Sequence, residues 1–204
     1  MSSSIGNLFK LNTFGESHGV AIGGVIDGCP SGLKLNFDEI QTFLDRRKPD
    51  SSFIASGRKE SDKVEFLSGI FNGVTLGTPI GFIVKNKDAK PEDYDRLKKV
   101  FRPSHADITY EKKYGLRDYR GGGRSSARET VNWVVAGSIA SQILSKKDIF
   151  INSYVSSVGD INLEKDYLDV DTKSVYQNAI RCPDQQTAKK MEELIMSCKL
   201  DGDT

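Results

Sequence analysis

The chain has 204 residues, of which 37% are hydrophobic and 28% charged, the balance of an ordinary globular protein. Its formal net charge is only +1, which excludes the broad basic field of a non-specific nucleic-acid binder, so any anion site must be local and built from placed arginines. No apolar run is long enough to span a bilayer, and the opening MSSSIGNLFK lacks the basic start and apolar core of a secretion signal, so a cytoplasmic protein with neither membrane nor nucleic-acid partners is expected.

Leu8 to Thr13 and Val20 to Asp27 read as two strands around the turn Phe14-Gly15-Glu16-Ser17-His18-Gly19. That turn packs a carboxylate, a hydroxyl and an imidazole between two glycines, more chemistry than a structural turn needs. Gly28-Cys29-Pro30-Ser31-Gly32 forms a second turn. Asn36 or Asp38 then caps a helix with Phe37, Ile40, Phe43 and Leu44 on one face and Arg46, Arg47 and Lys48 at its end. Those cations either answer the helix dipole or reach toward a bound anion. Residues 50–63 are polar and aperiodic, as in a mobile surface loop. Val64 to Ile70 and Thr78 to Lys85 read as strands, and Pro91 starts a short helix through Val100. In Phe101-Arg102-Pro103-Ser104-His105-Ala106-Asp107, Asp107 is positioned to orient the His105 imidazole.

Asp118 to Thr130, DYRGGGRSSARET, is the stretch around which the rest is arranged. Three successive glycines suit a backbone that turns tightly or comes close to something. Arg117, Arg120, Arg124 and Arg128 surround them, with Ser125 and Ser126 between. Ala127, Val131, Val134, Val135, Ser138, Ile139 and Ile143 recur at helical spacing. A glycine turn opening onto a helix start gathers N–H donors and the positive end of the dipole, which suits a phosphate. Beyond it, Ile149 to Val158 alternates as a strand, and Gln185 to Leu200 is an amphipathic helix with Met191, Leu194, Ile195 and Cys198 on one face. The three cysteines fit neither a disulfide framework nor a metal pattern, so no metal is expected and a reduced compartment is.

The glycine turn lacks the spacing of a nucleotide P-loop or of the dinucleotide fingerprint. The succession FGESHG, DGCPSG, DRRKP, FRPSHAD and KYGLRDYRGGGRSSARET instead resembles chorismate synthase, from Ile5-Gly6 through the helix after Thr130 and more thinly to the end. That resemblance implies an α+β fold, a β-α-β sandwich of mainly antiparallel sheets with helices between. It implies a lyase that eliminates phosphate in an anti-1,4 sense from 5-enolpyruvylshikimate 3-phosphate, giving chorismate for aromatic amino-acid biosynthesis. It also implies reduced FMN as cofactor, with NADPH involved only indirectly, and a homotetramer, with a separate flavin reductase a further possible partner. Carried over by position, His18 and His105 are the catalytic residues. Arg124, Ser125, Ser126 and Arg47 are cofactor-binding, and Ser17, Arg46, Arg102 and Arg128 substrate-binding. Two departures stand out. Phe53 occupies a place where relatives carry arginine, and family members are longer, their C-terminal half supplying further flavin contacts and an aspartate linked to proton removal. Residues 1–204 are therefore expected to be the N-terminal part of one domain, inactive alone. The rival readings are a small-molecule kinase with a glycine-rich phosphate loop, and a catalytically incomplete remnant.

Overall fold

The computed structural model describes residues 3–48, 61–87 and 97–203. Phe53, most of the polar 50–63 stretch and most of the Pro91–Val100 segment lie outside them. The described residues form two compact units, residues 3–48, 61–87 and 97–149 in one and residues 150–203 in the other.

The first unit is a five-stranded antiparallel sheet with three helices, two of which share its core. Its strands are β1 (Ser4–Ile5), β2 (Lys10–Gly15), β3 (Ala21–Asp27), β4 (Val64–Phe66) and β7 (Ile80–Lys85), in the order β1-β2-β3-β7-β4. A separate hairpin, β5 (Ile70–Phe71) with β6 (Val74–Thr75), turns through Asn72-Gly73. The stretch from Val64 to Ile70, which reads as one strand in sequence, is thus two short strands with a break between. Alternation fixes the sheet's inner face: Leu11 and Thr13 on β2, Ile22 and Ile26 on β3, and Ile80, Phe82 and Val84 on β7 are all buried.

Helix α1 (Phe37–Arg47) is capped by Asn36, whose side-chain oxygen accepts from the Glu39 N–H at 3.1 Å. It buries Ile40 and Leu44. Helix α3 (Thr130–Ser145) buries Val131, Val135 and Ile139 in the same core. Each such side chain contributes about 1.5–3 kcal/mol relative to exposure. The two helices are also joined through an amide clasp. Gln142 accepts from the Asn36 N–H at 2.9 Å and donates to the Asn36 carbonyl at 3.0 Å. The remaining helix of this unit, α2 (Asp107–Tyr114), ends on Gly115 in the left-handed conformation.

The second unit holds α4 (Gln185–Asp201) and a small hairpin, β8 (Ser157–Val158) with β9 (Ile161–Asn162). The strand expected over Ile149–Val158 is confined to its last two residues, because only they find a partner strand. Asp184 caps α4 through the Thr187 N–H, and that bond with the Lys165 ammonium holds its carboxyl at about 2. Met191 and Ala188 bury against Ile180 and Cys182, with Val158, Ile161 and Ile195 around them. Among the described residues no helix is long and apolar enough to cross a membrane.

Candidate functional site

The two turns that carry unusual chemistry in the sequence meet in space. Gly121 has φ +67°, and a Cβ there would stand 2.1 Å from His18 Nδ1 and 3.0 Å from Ser17 Oγ. Gly123 has φ +52°, and its Cβ would stand 2.7 Å from Glu16 Oε2. Only glycine satisfies both the left-handed backbone and the close approach. Gly121 and Gly123 are therefore spent on docking one turn against the other.

The passage from this turn into α3 differs from the expected direct opening. Short 3-10 turns at Gly123–Ser125 and Ala127–Glu129 intervene before the α-helix begins at Thr130. Ser126 caps the second of them, its hydroxyl accepting from the Arg128 N–H at 3.2 Å. The donors near the glycines thus belong to the turn itself and not to the first turn of a long helix.

Each turn is held by an arginine–aspartate clamp. Asp62 is fully buried and is bound by Arg47 Nη2 at 2.6 Å and by Arg128 Nη1. Arg128 Nε also donates to Asn86 Oδ1 at 3.0 Å, and Asn86 Nδ2 donates to the carbonyls of Glu16 and Gly19 at 3.0 and 2.8 Å. This chain of bonds fixes the Glu16–Gly19 turn. Burial pushes the Asp62 carboxyl up, but hydrogen bonds and charge from Arg47 and Arg128 outweigh it and hold it below the usual carboxylate range. The second clamp is Asp107, bound in bidentate fashion by Arg102 at 2.9 and 3.0 Å and approached by Arg117 at 3.4 Å. Arg102 Nη2 goes on to the Gly121 carbonyl at 2.7 Å and fixes the glycine turn. The Arg102 hydrogen bond holds the Asp107 carboxyl low, against the effect of burial.

Asp107 consequently does not orient His105, contrary to the reading of FRPSHAD. Its carboxylate is fully engaged by Arg102 and Arg117, and His105 Nδ1 instead lies 2.8 Å from the Pro103 carbonyl, on the exposed side of the loop. His105 lines a cleft of about 170 Å³ with Glu16, Tyr110, Tyr114, Gly122, Gly123 and Arg124. A second cleft of about 390 Å³ is lined by Phe14, Glu16, Tyr110, Tyr114, Arg124 and Trp133 among others. Arg124 forms part of both walls. Its guanidinium is bound by Glu129 at 2.6 and 3.0 Å, by the Thr13 hydroxyl and by the Gly15 carbonyl.

The structure therefore gathers Ser17, His18, Arg102, His105, Arg124, Ser125 and Ser126 around the glycine turn. His18 Nδ1 and Ser17 Oγ lie 3.0 Å apart. Arg128 and Arg47 sit behind the first turn on Asp62. Arg46 is exposed on α1 with its guanidinium over the Phe43 ring, and is not part of this cluster. Sequence reading missed Asp62, Asn86 and Glu129. Asp62 closes a featureless polar run and Asn86 follows a strand, so neither carries a local signal. Glu129, five residues after Arg124, was the one partner within reach of inspection. Among the described residues no group of three or more His, Cys, Asp or Glu is arranged to hold a metal ion.

The family model described as chorismate synthase matches residues 9–204. The chorismate synthase of Christiangramia forsetii is 59% identical over 202 residues, covering 99% of this chain and 56% of the relative. That of Synechocystis is 51% identical over 196 residues, covering 96% and 54%. A crystal structure of chorismate synthase superposes with a TM-score of 0.72 at 27% identity, over 96% of this chain and 54% of that one. The chain thus spans about half the length of the curated relatives it matches. Nothing in these matches supports the kinase alternative. The chain belongs to the chorismate synthase family.

Proposed function

We propose that this chain supplies the histidine and glycine-turn part of a chorismate synthase active site, a lyase site that expels phosphate from 5-enolpyruvylshikimate 3-phosphate. The observation that carries the reading is the docking of the Ser17-His18 turn onto Gly121, beside a cleft lined by His105. An imidazole held within one turn of a phosphate seat is placed to give its proton to a departing phosphate oxygen, and general-acid help of this kind is typically worth about 10²–10⁴-fold. His18 takes that role, with Ser17 fixing its ring. His105, on the open side of the cleft, moves or holds a proton nearer the cofactor.

The residues fit a flavin phosphate in kind: a glycine turn that borders the cleft at Gly122 and Gly123, the Ser125 and Ser126 hydroxyls that follow it in the chain, and aromatic rings at Tyr110 and Tyr114 along the cleft wall. Reduced FMN, when bound, supplies an electron-rich ring beside the substrate. Arg102 and Arg128, both tied into clamps, act on the anions through the long-range field and through the turns they fix. Arg47 belongs with Arg128 on Asp62, and Arg46 offers an outlying charge. Any role for NADPH is indirect.

The two compact units are parts of one domain in this reading, and the remaining length of the relatives supplies the rest of the flavin site and the proton acceptor. Residues 1–204 alone then bind the phosphate without completing turnover. A cytoplasmic homotetramer, served by a separate flavin reductase, is the assembly proposed for the whole enzyme. The test is an anaerobic assay with chemically reduced FMN and 5-enolpyruvylshikimate 3-phosphate, following chorismate absorbance and phosphate release. It is run on this chain joined to the remaining length of a family member. His18→Ala is expected to lower turnover by about 10²–10⁴-fold with flavin binding retained. Unchanged turnover would remove His18 from the mechanism.

A further inference from the structure

The glycine turn already receives an anion from within the chain. Glu16 Oε2 lies against Gly123, 2.7 Å from where a Cβ would stand, and the charge and backbone N–H of Arg124 both favour the ionised form of its carboxyl. These are the donors and the space that sequence reading assigns to a phosphate. Glu16 also lines both clefts that Arg124 borders. We propose that the Glu16 carboxylate is a built-in occupant of the anion seat, which a phosphate-bearing ligand must displace, or find neutralised, before it binds. The proposal rests on the reading that this turn seats a phosphate, and adds the residue that sets which anions succeed. A free monocarboxylate offers no more charge than Glu16 and lacks its tethering to the site, so it loses the contest. A phosphate dianion brings greater charge and more acceptor oxygens, and wins it.

The surroundings make this occupant sensitive to pH. Glu16 faces Arg124 and Glu129 from the glycine turn and its sequel, and Asp118 and Arg120 from the segment before it. His105, Asp107 and Arg117 line the same cleft, and His18 is two residues away. Burial pushes the Glu16 carboxyl above the usual range, the Arg124 charge and N–H pull it back, and Asp118 and Glu129 add to the rise. Acidification therefore neutralises Glu16 earlier than an ordinary glutamate, and the competition fades as it does so.

The experiment is a titration of this chain with inorganic phosphate and with FMN, by calorimetry and flavin fluorescence, comparing wild type with Glu16→Gln and Glu16→Asp from about pH 5 to 8. Glu16→Gln keeps the shape and removes the charge. It should bind on the order of tenfold more tightly at neutral pH, from the loss of one like charge at the seat. The ratio of variant to wild-type affinity should shrink toward one as pH falls and wild-type Glu16 takes up its proton. Taking that ratio cancels the ionisation of phosphate and of the histidines. Glu16→Asp, shorter and drawn back from Gly123, should fall between the two, and serves if Glu16→Gln fails to fold. Binding by Glu16→Gln alone also supports the proposal. If wild type binds and the variants bind equally or less well, Glu16 is a structural prop and the proposal fails while the phosphate reading stands. If none binds, both fail together.

Discussion

Two aspartates in this molecule each collect two arginines, and they do so in opposite ways. Asp62 is fully buried and draws Arg47, Arg128 and, through Arg128, Asn86 from distant parts of the chain. Asp107 gathers Arg102 and Arg117 from within ten residues on either side. The first clamp ends on the Glu16–Gly19 turn, the second on Gly121. One site is thus held from behind by a long-range buried knot and from beside by a local, shallower one. A buried ion pair contributes little net stability when intact, yet its rupture leaves charges stranded in a poor solvent. The two clamps should therefore differ most when broken.

The largest effect is expected from Asp62→Asn, which leaves two guanidinium groups without their countercharge and should cost about 3–5 kcal/mol in chemical denaturation. A loss below about 1 kcal/mol would show that water reaches the knot. Gly121→Ala comes next. Its left-handed backbone and the contact with His18 Nδ1 should cost about 1–3 kcal/mol, and the turns should separate. Asp107→Asn should cost about 1.5–3 kcal/mol, the range for hydrogen bonds to charged groups, since Arg102 keeps its bond to the Gly121 carbonyl. The exposed Lys48–Asp45 pair is the baseline, and Asp45→Asn should change stability by no more than about 1 kcal/mol.

Acid should weaken both clamps. Both clamp carboxyls have folded pKa values below their unfolded ones, so the unfolded chain takes up protons first as pH falls. The stability they provide is full above the unfolded value, about 4, and is lost as pH falls through the folded values. Asp62→Asn and Asp107→Asn should each flatten this acid limb, as measured by denaturant midpoints across that range.

The strands of the first sheet were legible because alternation of Leu11 and Thr13, or of Ile80, Phe82 and Val84, reports directly on a buried face. The α1 cap at Asn36 was legible for a local reason of the same kind, a side chain bonding three residues ahead. Residues 149–158 misled because alternation cannot show whether a partner strand exists. At the site, glycines and histidines could be read as one cluster because each departs from ordinary turn chemistry. The arginines could be found but not assigned: their charge is visible in sequence, whereas their partners Asp62, Asn86 and Glu129 are chosen by the fold. Arg124, the residue most easily read as a phosphate ligand, is already held by Glu129 and Thr13.

In the proposed function the Glu16–Gly19 and Gly121–Ser126 turns form one phosphate site. Backbone-amide and imidazole NMR shifts, followed while FMN is added to this chain, test it most directly. The amides of Gly121 to Ser126 and the His18 ring are expected to shift together, along one binding curve, with His105 following. Shifts confined to the end of α1 around Arg46, or to the second unit, with both glycine turns unmoved, would contradict it.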